Sequence, residues 1–188
     1  MKLLLTIIFV LALTGCGTPR YNEVFIDSSS SHVDVSKRCP ETLLPGAASC
    51  VARVEANKSV TSTNINVQPS ETYCISVPPN QVWFDKDRRN TPPEGEKGSW
   101  IMNLFTKRHP EVGFFALMVA VQSADNTTGQ TARNVKKSLN FKYTAEGPGE
   151  LVFYPNDAVS TSWNPYYHYE NNSGYIWVTI TRCNDRAN

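Results

Sequence analysis

Two short polar runs near the C-terminus carry side chains that could bind a cation or a sugar. Asn156 and Asp157 end one apolar run, and residues 170–174 (Glu-Asn-Asn-Ser-Gly) precede the next. Carboxylate and amide oxygens are ligands that Ca²⁺ takes in proteins. Asn, Asp and Gly also favour tight turns, because their side chains bond nearby backbone groups and tolerate positive φ. Two interpretations therefore stand, a calcium or sugar site at one rim of a sheet and a pair of ordinary turns.

The segment between these runs, residues 158–170, is crowded with aromatic side chains. They are Trp163, Tyr166, Tyr167, His168 and Tyr169. Aromatic rings stack on the apolar faces of sugars and dominate protein interfaces, so we expect Trp163, Tyr167, His168 and Tyr169 to bind a ligand. The alternative is an aromatic flap packed over one end of the fold.

Short runs that alternate apolar and polar residues predict the strands that must carry these loops. They cover residues 61–67, 72–77, 81–84, 138–144, 150–154 and 175–182. The run 113–122 is almost wholly apolar, which predicts a strand buried on both faces. Polar loops are expected at 85–98 and 123–137, and no stretch has a helical period with caps. The pattern predicts an all-β domain over residues 61–183, an antiparallel, jelly-roll-like β-sandwich.

The N-terminus has the features of an export signal. Lys2 precedes an apolar run that is shorter than the ~20 residues of a membrane-spanning helix. Leu-Thr-Gly-Cys at 13–16 resembles the lipobox of bacterial lipoproteins, which implies cleavage before Cys16 and acylation of that residue. Gly17, where inner-membrane proteins of this kind carry Asp, favours the outer membrane. We therefore expect a signal peptide at 1–15, a lipidated tether at 16–60 with a disulfide loop, and a short tail at 184–188.

The net charge and the absence of catalytic motifs argue against nucleic-acid binding and against catalysis. The chain has 18 basic and 17 acidic residues, and cleavage would remove Lys2, leaving 18 − 1 = 17 of each. A neutral chain without a basic stripe is not expected to bind nucleic acid. No nucleophile elbow, zinc-protease, P-loop or dinucleotide motif is present, so we expect no enzyme.

The cysteine count predicts disulfides. Four cysteines remain besides Cys16, and an even number in an exported chain indicates two bridges. Three connectivities are possible. We favour Cys39–Cys50, which closes a short local loop, together with Cys74–Cys183, which would join an early strand to the end of the last.

The order of runs resembles the LecA-like galactose-binding lectins and related β-sandwich modules of bacterial proteins. The similarity covers roughly 61–182, and the polar runs 156–157 and 171–174 are its most specific part. It also includes Val-Pro-Pro-Asn-Gln-Val-Trp at 77–83, Phe-Ala-Leu-Met-Val at 115–119 and Gly-Glu-Leu at 149–151. The resemblance implies that Asp157, Asn171 and Asn172 hold a Ca²⁺ ion, which in turn holds two sugar hydroxyls. A backbone carbonyl near Phe84 or Asp85 would help to hold it.

Two functions are compatible with these features. The first is an outer-membrane lipoprotein with a non-catalytic binding or envelope-assembly module, whose partner is a glycan or an envelope protein. The alternative is a calcium-dependent, galactose-type lectin domain. The loop 158–170 is longer than the corresponding loop of the lectins, and this favours the first.

Overall fold

The computed structural model describes residues 37–85, 88–98, 105–123, 133–134, 140–160 and 164–183. Cys16, with the predicted signal peptide and most of the tether, lies outside them, as do Trp163 and the predicted tail 184–188. Within the described ranges, no helix combines the length and apolar character needed to cross a membrane.

Two four-stranded sheets and one hairpin make up the described part of the chain. Its strands are β1 (Cys50–Glu55), β2 (Thr61–Val67), β3 (Thr72–Ser76), β4 (Trp83–Asp85), β5 (Arg88–Thr91), β6 (Leu117–Gln122), β7 (Arg133–Asn134), β8 (Asn140–Thr144), β9 (Gly149–Pro155) and β10 (Tyr175–Arg182). The first sheet has the order β1-β10-β3-β8, the second has β2-β9-β6-β7, and β4 pairs with β5. Every pairing of these strands is antiparallel. The expected antiparallel β-sandwich is confirmed.

The main core lies between the two sheets and follows the alternation in the sequence. In β10, Ile176, Val178 and Ile180 are buried, whereas the residues between them are half-buried. They join one cluster with residues of the second sheet such as Leu151 and Phe153. Each buried aliphatic or aromatic side chain of this kind contributes about 1.5–3 kcal/mol relative to an exposed one.

Strand β6 is buried on both faces, as its apolar sequence predicts. Leu117, Val119 and Val121 belong to the main core. Met118 and Ala120 point to the other side, where they pack in a second buried cluster with Ala116, Val152 and Tyr154. A strand with apolar contacts on both faces cannot show alternation, and this is why the run 113–122 does not.

The expectation of an irregular tether up to residue 60 is wrong for β1. Residues Cys50–Glu55 pair with β10 along their whole length, from Cys50 opposite Ile180 to Glu55 opposite Tyr175. Ala52 and Val54 enter the core, and Leu43 of the preceding loop is also buried there. The sandwich therefore begins before residue 61. The buried residues of β1 are mostly small, so its alternation is weak, and the long partner β10 decides that it is a strand.

Both favoured disulfides are present. Cys39 is bonded to Cys50 at the start of β1, and Cys74 of β3 is bonded to Cys183 just after β10. The first joins the loop that carries Leu43 to the first sheet. The second ties two neighbouring strands of that sheet together.

Three segments expected to be loops contain regular structure. The polar segment 85–98 includes β5, which pairs back on β4 as a short hairpin. The aromatic segment contains a 3-10 helix, Tyr167–Asn171. In the expected loop 123–137, Arg133–Asn134 form β7, which pairs with β6. All three elements are only a few residues long, too short for a periodic pattern to be visible in the sequence.

Candidate binding site

Asn156, directly after β9, is fully buried and organises the loop at 109–113. Its Nδ2 donates to the carbonyl oxygens of His109 (3.0 Å), Val112 (3.2 Å) and Gly113 (3.0 Å). Its Oδ1 accepts from the backbone N–H of His109 (2.9 Å). One buried amide thus bonds both to a backbone N–H and to carbonyl groups of this loop, so its own donors and acceptor are satisfied as well. Asn156 is therefore a structural residue that fixes the loop beside the candidate site.

The structure brings Asp157 and Asn172 together beneath the surface. Each is only 5% exposed. Asp157 Oδ1 accepts from the backbone N–H of Ala158 (2.6 Å), and Oδ2 accepts from Asn172 Nδ2 (2.8 Å). Asn172 Nδ2 also donates to the carbonyl oxygen of Ala56 (3.2 Å). Asn171, the third predicted ligand, ends the 3-10 helix and is exposed, so it does not belong to this buried pair.

Burial dominates the electrostatics of Asp157. It raises the pKa of the carboxyl from 3.8 to about 6, because the charged form loses its hydration. The hydrogen bonds from Asn172 and Ala158 lower this pKa and offset part of the effect, while the negative charge of Asp85 raises it. His168 also lies close enough to lower it. The Asp157 carboxyl therefore has a pKa of about 6.

The donor set fits a cation only in part. Asn172 Oδ1 is buried and has no hydrogen-bond partner in the described part of the chain, so it could coordinate a metal ion. Both oxygens of Asp157 already accept hydrogen bonds, although each retains a lone pair. The carbonyl of Phe84 accepts from the Ser173 N–H (2.9 Å), so the expected carbonyl ligand is engaged. Among the described residues, no group of three or more His, Cys, Asp and Glu side chains converges on one point.

Tyr169 lies under the aromatic loop and is not part of its outer surface. The side chain is 1% exposed, and its hydroxyl donates to the Pro155 carbonyl (2.9 Å). The same hydroxyl accepts from the Asp157 N–H at 3.4 Å. Burial raises its pKa well above the usual range, so the phenol stays neutral. The expected ligand contact is therefore corrected for this residue, which instead anchors the loop to the end of β9.

The remaining aromatic side chains form an exposed surface, which we call the aromatic patch: Phe105, Tyr166, Tyr167 and His168. Tyr167 is 61% exposed, Phe105 48% and Tyr166 39%. The His168 ring makes edge contacts with both Phe105 (5.4 Å between centroids) and Tyr167 (5.8 Å). Tyr166 packs on the buried Tyr169 at 5.8 Å. Tyr167 and His168 were expected at such a surface, whereas Trp163 lies outside the described residues.

Arg108 supports the patch from below and was missed from the sequence. Its guanidinium lies 3.8 Å from the Tyr154 ring centroid and 5.5 Å from that of Tyr166. Its Nη1 donates to the Ser59 carbonyl (2.6 Å). Next to it, His109 Nε2 and the Tyr154 hydroxyl share a hydrogen bond of 2.9 Å. Neither Arg108 nor Phe105 is marked by a local motif, since both reach the patch through folding of a distant loop.

Comparison with known proteins yields likeness to solved structures and no family. No protein-family model and no curated protein matches the chain. A solved structure described as the EclA N-terminal domain, a PllA-like lectin, is 16% identical, with a TM-score of 0.46. The match covers 70% of this chain and 94% of that one. At that identity and score, the likeness carries no conclusion about what the present chain binds.

Proposed function

We propose that this chain is an outer-membrane-anchored lipoprotein whose sandwich is a non-catalytic binding module for an envelope partner, with the aromatic patch as its contact surface. One observation carries the proposal. Four large hydrophobic side chains are exposed in the described residues, and three of them, Phe105, Tyr166 and Tyr167, belong to this patch. Exposed aromatic clusters are typical of interaction sites, because such rings bury much area at low entropic cost.

The groups beneath the patch favour binding over catalysis. Tyr169 and Asp157, whose pKa values are raised by burial, are each held in hydrogen bonds to the backbone or to a neighbouring side chain. Neither is presented to solvent, and Arg108 is stacked on Tyr154. These contacts fix the position of the exposed rings before a partner arrives, which reduces the ordering cost of binding.

Site-specific photo-crosslinking in the native bacterium tests the contact surface. A photoreactive phenylalanine at Tyr167 should give one discrete crosslinked envelope species, whereas the same group at the exposed Asn57 should not. Tyr166→Ser introduced beside the probe should reduce the yield at least several-fold. Equal crosslinking from both positions, or none from Tyr167, would overturn the proposed contact surface.

The proposed lipid anchor at Cys16 is tested by a separate experiment. Cys16→Ala should release the protein from the outer-membrane fraction and remove the lipid mass from the mature chain. Unchanged association with the outer membrane in that variant would contradict lipid anchoring at Cys16. The result does not affect the test of the aromatic patch.

A second candidate function is calcium-dependent carbohydrate binding, and the unpartnered Asn172 Oδ1 beside the Asp157 carboxylate favours it. Ca²⁺ bound there would stabilise the folded chain, and the stabilisation would grow with the logarithm of the Ca²⁺ concentration above the Kd. We expect a calcium-dependent rise in Tm that Asp157→Asn abolishes and Asn171→Ala, at an exposed residue outside the pair, leaves unchanged, together with calcium-dependent binding on a glycan array. No shift with millimolar Ca²⁺ and no glycan signal would exclude this candidate and leave the first untouched.

A further inference from the structure

We propose that the outer face of the first sheet carries a second binding site, for an acidic polysaccharide. The site is an open groove on β10, β3 and β8, on a sheet surface separate from the aromatic patch. The side chains that define it are Cys74, Ser76, Asn140, Lys142, Thr179 and Thr181. We call it the sheet groove.

Register places these side chains in two rows across the sheet. Thr179 is opposite Ser76, which is opposite Asn140, and these form the first row. Thr181 is opposite Cys74, which is opposite Lys142, and these form the second. Because neighbouring strands are ~4.8 Å apart and alternate residues ~7 Å apart, the rows cover about 10 by 7 Å. The floor consists mainly of short side chains, which is why the sheet surface is concave here.

The floor offers hydroxyl groups that the fold itself does not use. In the described part of the chain, the side-chain hydroxyls of Ser76, Thr179 and Thr181 make no hydrogen bond, although all three residues are half-buried. A hydroxyl both donates and accepts, as does each hydroxyl of a sugar, so the two can bond reciprocally. The next outward residue of β10 is Trp177, whose ring can stack on the apolar face of a sugar.

Trp177 is held in place by two neighbours. Gln81 extends the hydrogen-bond ladder beyond the end of β3, since its side-chain amide donates to the Trp177 carbonyl (2.9 Å) and accepts from the Trp177 N–H (2.6 Å). The indole also makes an edge contact with Tyr175, 5.7 Å away between ring centroids. The end of the sheet groove is therefore rigid.

The charge of the residues that line the sheet groove indicates which class of saccharide it would bind. Lys142 is exposed, lies in the sheet groove and has no ion pair within the described residues, and the groove lining contains no carboxylate. The local potential is thus positive on a chain with almost no net charge. A ligand with carboxylate groups, such as a uronic-acid polymer, complements it. An acidic peptide is less suitable on this surface, because peptides add to the edge of a sheet through their backbone, whereas the sheet groove lies on the face of β10, β3 and β8.

The test measures binding of the purified full chain to polygalacturonate and alginate, with neutral dextran and poly-L-glutamate as comparisons. We expect both uronic-acid polymers to bind, dextran and poly-L-glutamate to bind weakly or not at all, and binding to weaken as salt is added. Lys142→Gln should weaken binding about fivefold and Thr179→Val about threefold. Lys97→Gln, which removes an exposed charge far along the chain, is the matched control and should leave binding unchanged.

Two further outcomes would overturn the proposal. If poly-L-glutamate binds as well as polygalacturonate and Thr179→Val has no effect, the groove is a general anion surface that favours acidic peptides. If neither uronic-acid polymer binds, no acidic polysaccharide site exists. Tyr167→Ser, at the aromatic patch, should not change binding to the polymers, so this result is independent of the proposed contact surface.

Discussion

At the scale of single residues, the adjacent Asn156 and Asp157 have different roles. The Asn156 amide satisfies one backbone N–H and three carbonyl groups of the loop at 109–113. The Asp157 carboxylate is buried against Asn172 at a cost to its own ionisation. The first side chain stabilises the loops around the site, and the second makes the site sensitive to pH.

Asn156→Ala should therefore lower the free energy of unfolding by about 2–4 kcal/mol, because a fully buried amide with several hydrogen bonds is lost and the His109 N–H loses its partner. Urea denaturation of the variant measures this. Asn171→Ala, at an exposed asparagine close by, should change the free energy by less than about 0.5 kcal/mol. Equal effects of the two substitutions would show that the Asn156 contacts do not stabilise the fold.

Because Asp157 is buried, we expect the free energy of unfolding to change with pH. The pKa of its carboxyl is about 6 in the folded chain against 3.8 in the unfolded one, so between these values the folded state binds more protons. The protonated carboxyl therefore stabilises the folded chain fully below pH ~4, and this stabilisation is lost as the pH rises through ~6. Across this range the free energy of unfolding falls by an amount on the order of 2–3 kcal/mol. Urea midpoints from pH 4 to 7 should show this fall.

Asp157→Asn should remove this part of the slope, because the side chain no longer ionises. Glu170→Gln changes an exposed carboxylate of the same loop and serves as the control. If the stability of the Asp157→Asn variant falls with pH as steeply as that of the wild type, Asp157 is not the group that causes the fall. Bound Ca²⁺ would also flatten the wild-type slope, since it favours the ionised carboxylate.

At the scale of elements, the junction of β4 and β10 holds the site in place. Phe84 and Ser173 exchange two backbone hydrogen bonds of 2.9 Å, which bring the polar run before β10 beside β4. Gly174 follows with φ of +85°, and a Cβ there would lie 3.1 Å from Phe84 Cδ2. The glycine of the Asn-Asn-Ser-Gly run is thus required by backbone conformation and by close packing.

Gly174→Ala should destabilise the chain by about 1–2 kcal/mol, from strain at positive φ and contact with the Phe84 ring. Gly147→Ala is the matched control, because a Cβ at Gly147 meets nothing within 4 Å. Thermal melts of both variants measure the difference. A Gly147 variant that is at least as destabilised as the Gly174 variant would show that the junction tolerates a side chain.

At the scale of the whole molecule, the two disulfides differ in the length of chain that they close. Cys39–Cys50 spans a sequence separation of 11, and Cys74–Cys183 spans 109. In the chain-entropy model, a longer closed loop restricts the unfolded state more. The second bridge also connects β3 to the end of β10, and β10 is paired with β1 and β3 at the centre of the first sheet.

Replacing Cys74 and Cys183 with Ser should therefore cost about 4–5 kcal/mol, against about 3 kcal/mol for the same change at Cys39 and Cys50. Denaturation of the two double variants under non-reducing conditions gives both values. Loss of the shorter bridge also frees the loop that carries the buried Leu43. If removal of Cys39–Cys50 lowers the free energy of unfolding more than removal of Cys74–Cys183, then the packing of Leu43, and not loop closure, decides which bridge stabilises the fold more.

The sequence by itself determined the sandwich, most strand positions, the doubly buried β6 and the number of disulfides, because these depend on local alternation and on cysteine number. The pairing was only favoured among three connectivities, and the structure decided it. The sequence missed β1, β5, β7 and the 3-10 helix, since short elements are decided by their partners. Only the tertiary structure showed that Asp157 meets Asn172 while Asn171 points outward, and that Tyr169 is buried beneath the loop. Phe105 and Arg108 reach the patch across about 60 residues of chain. Such contacts arise from packing, which no local pattern encodes.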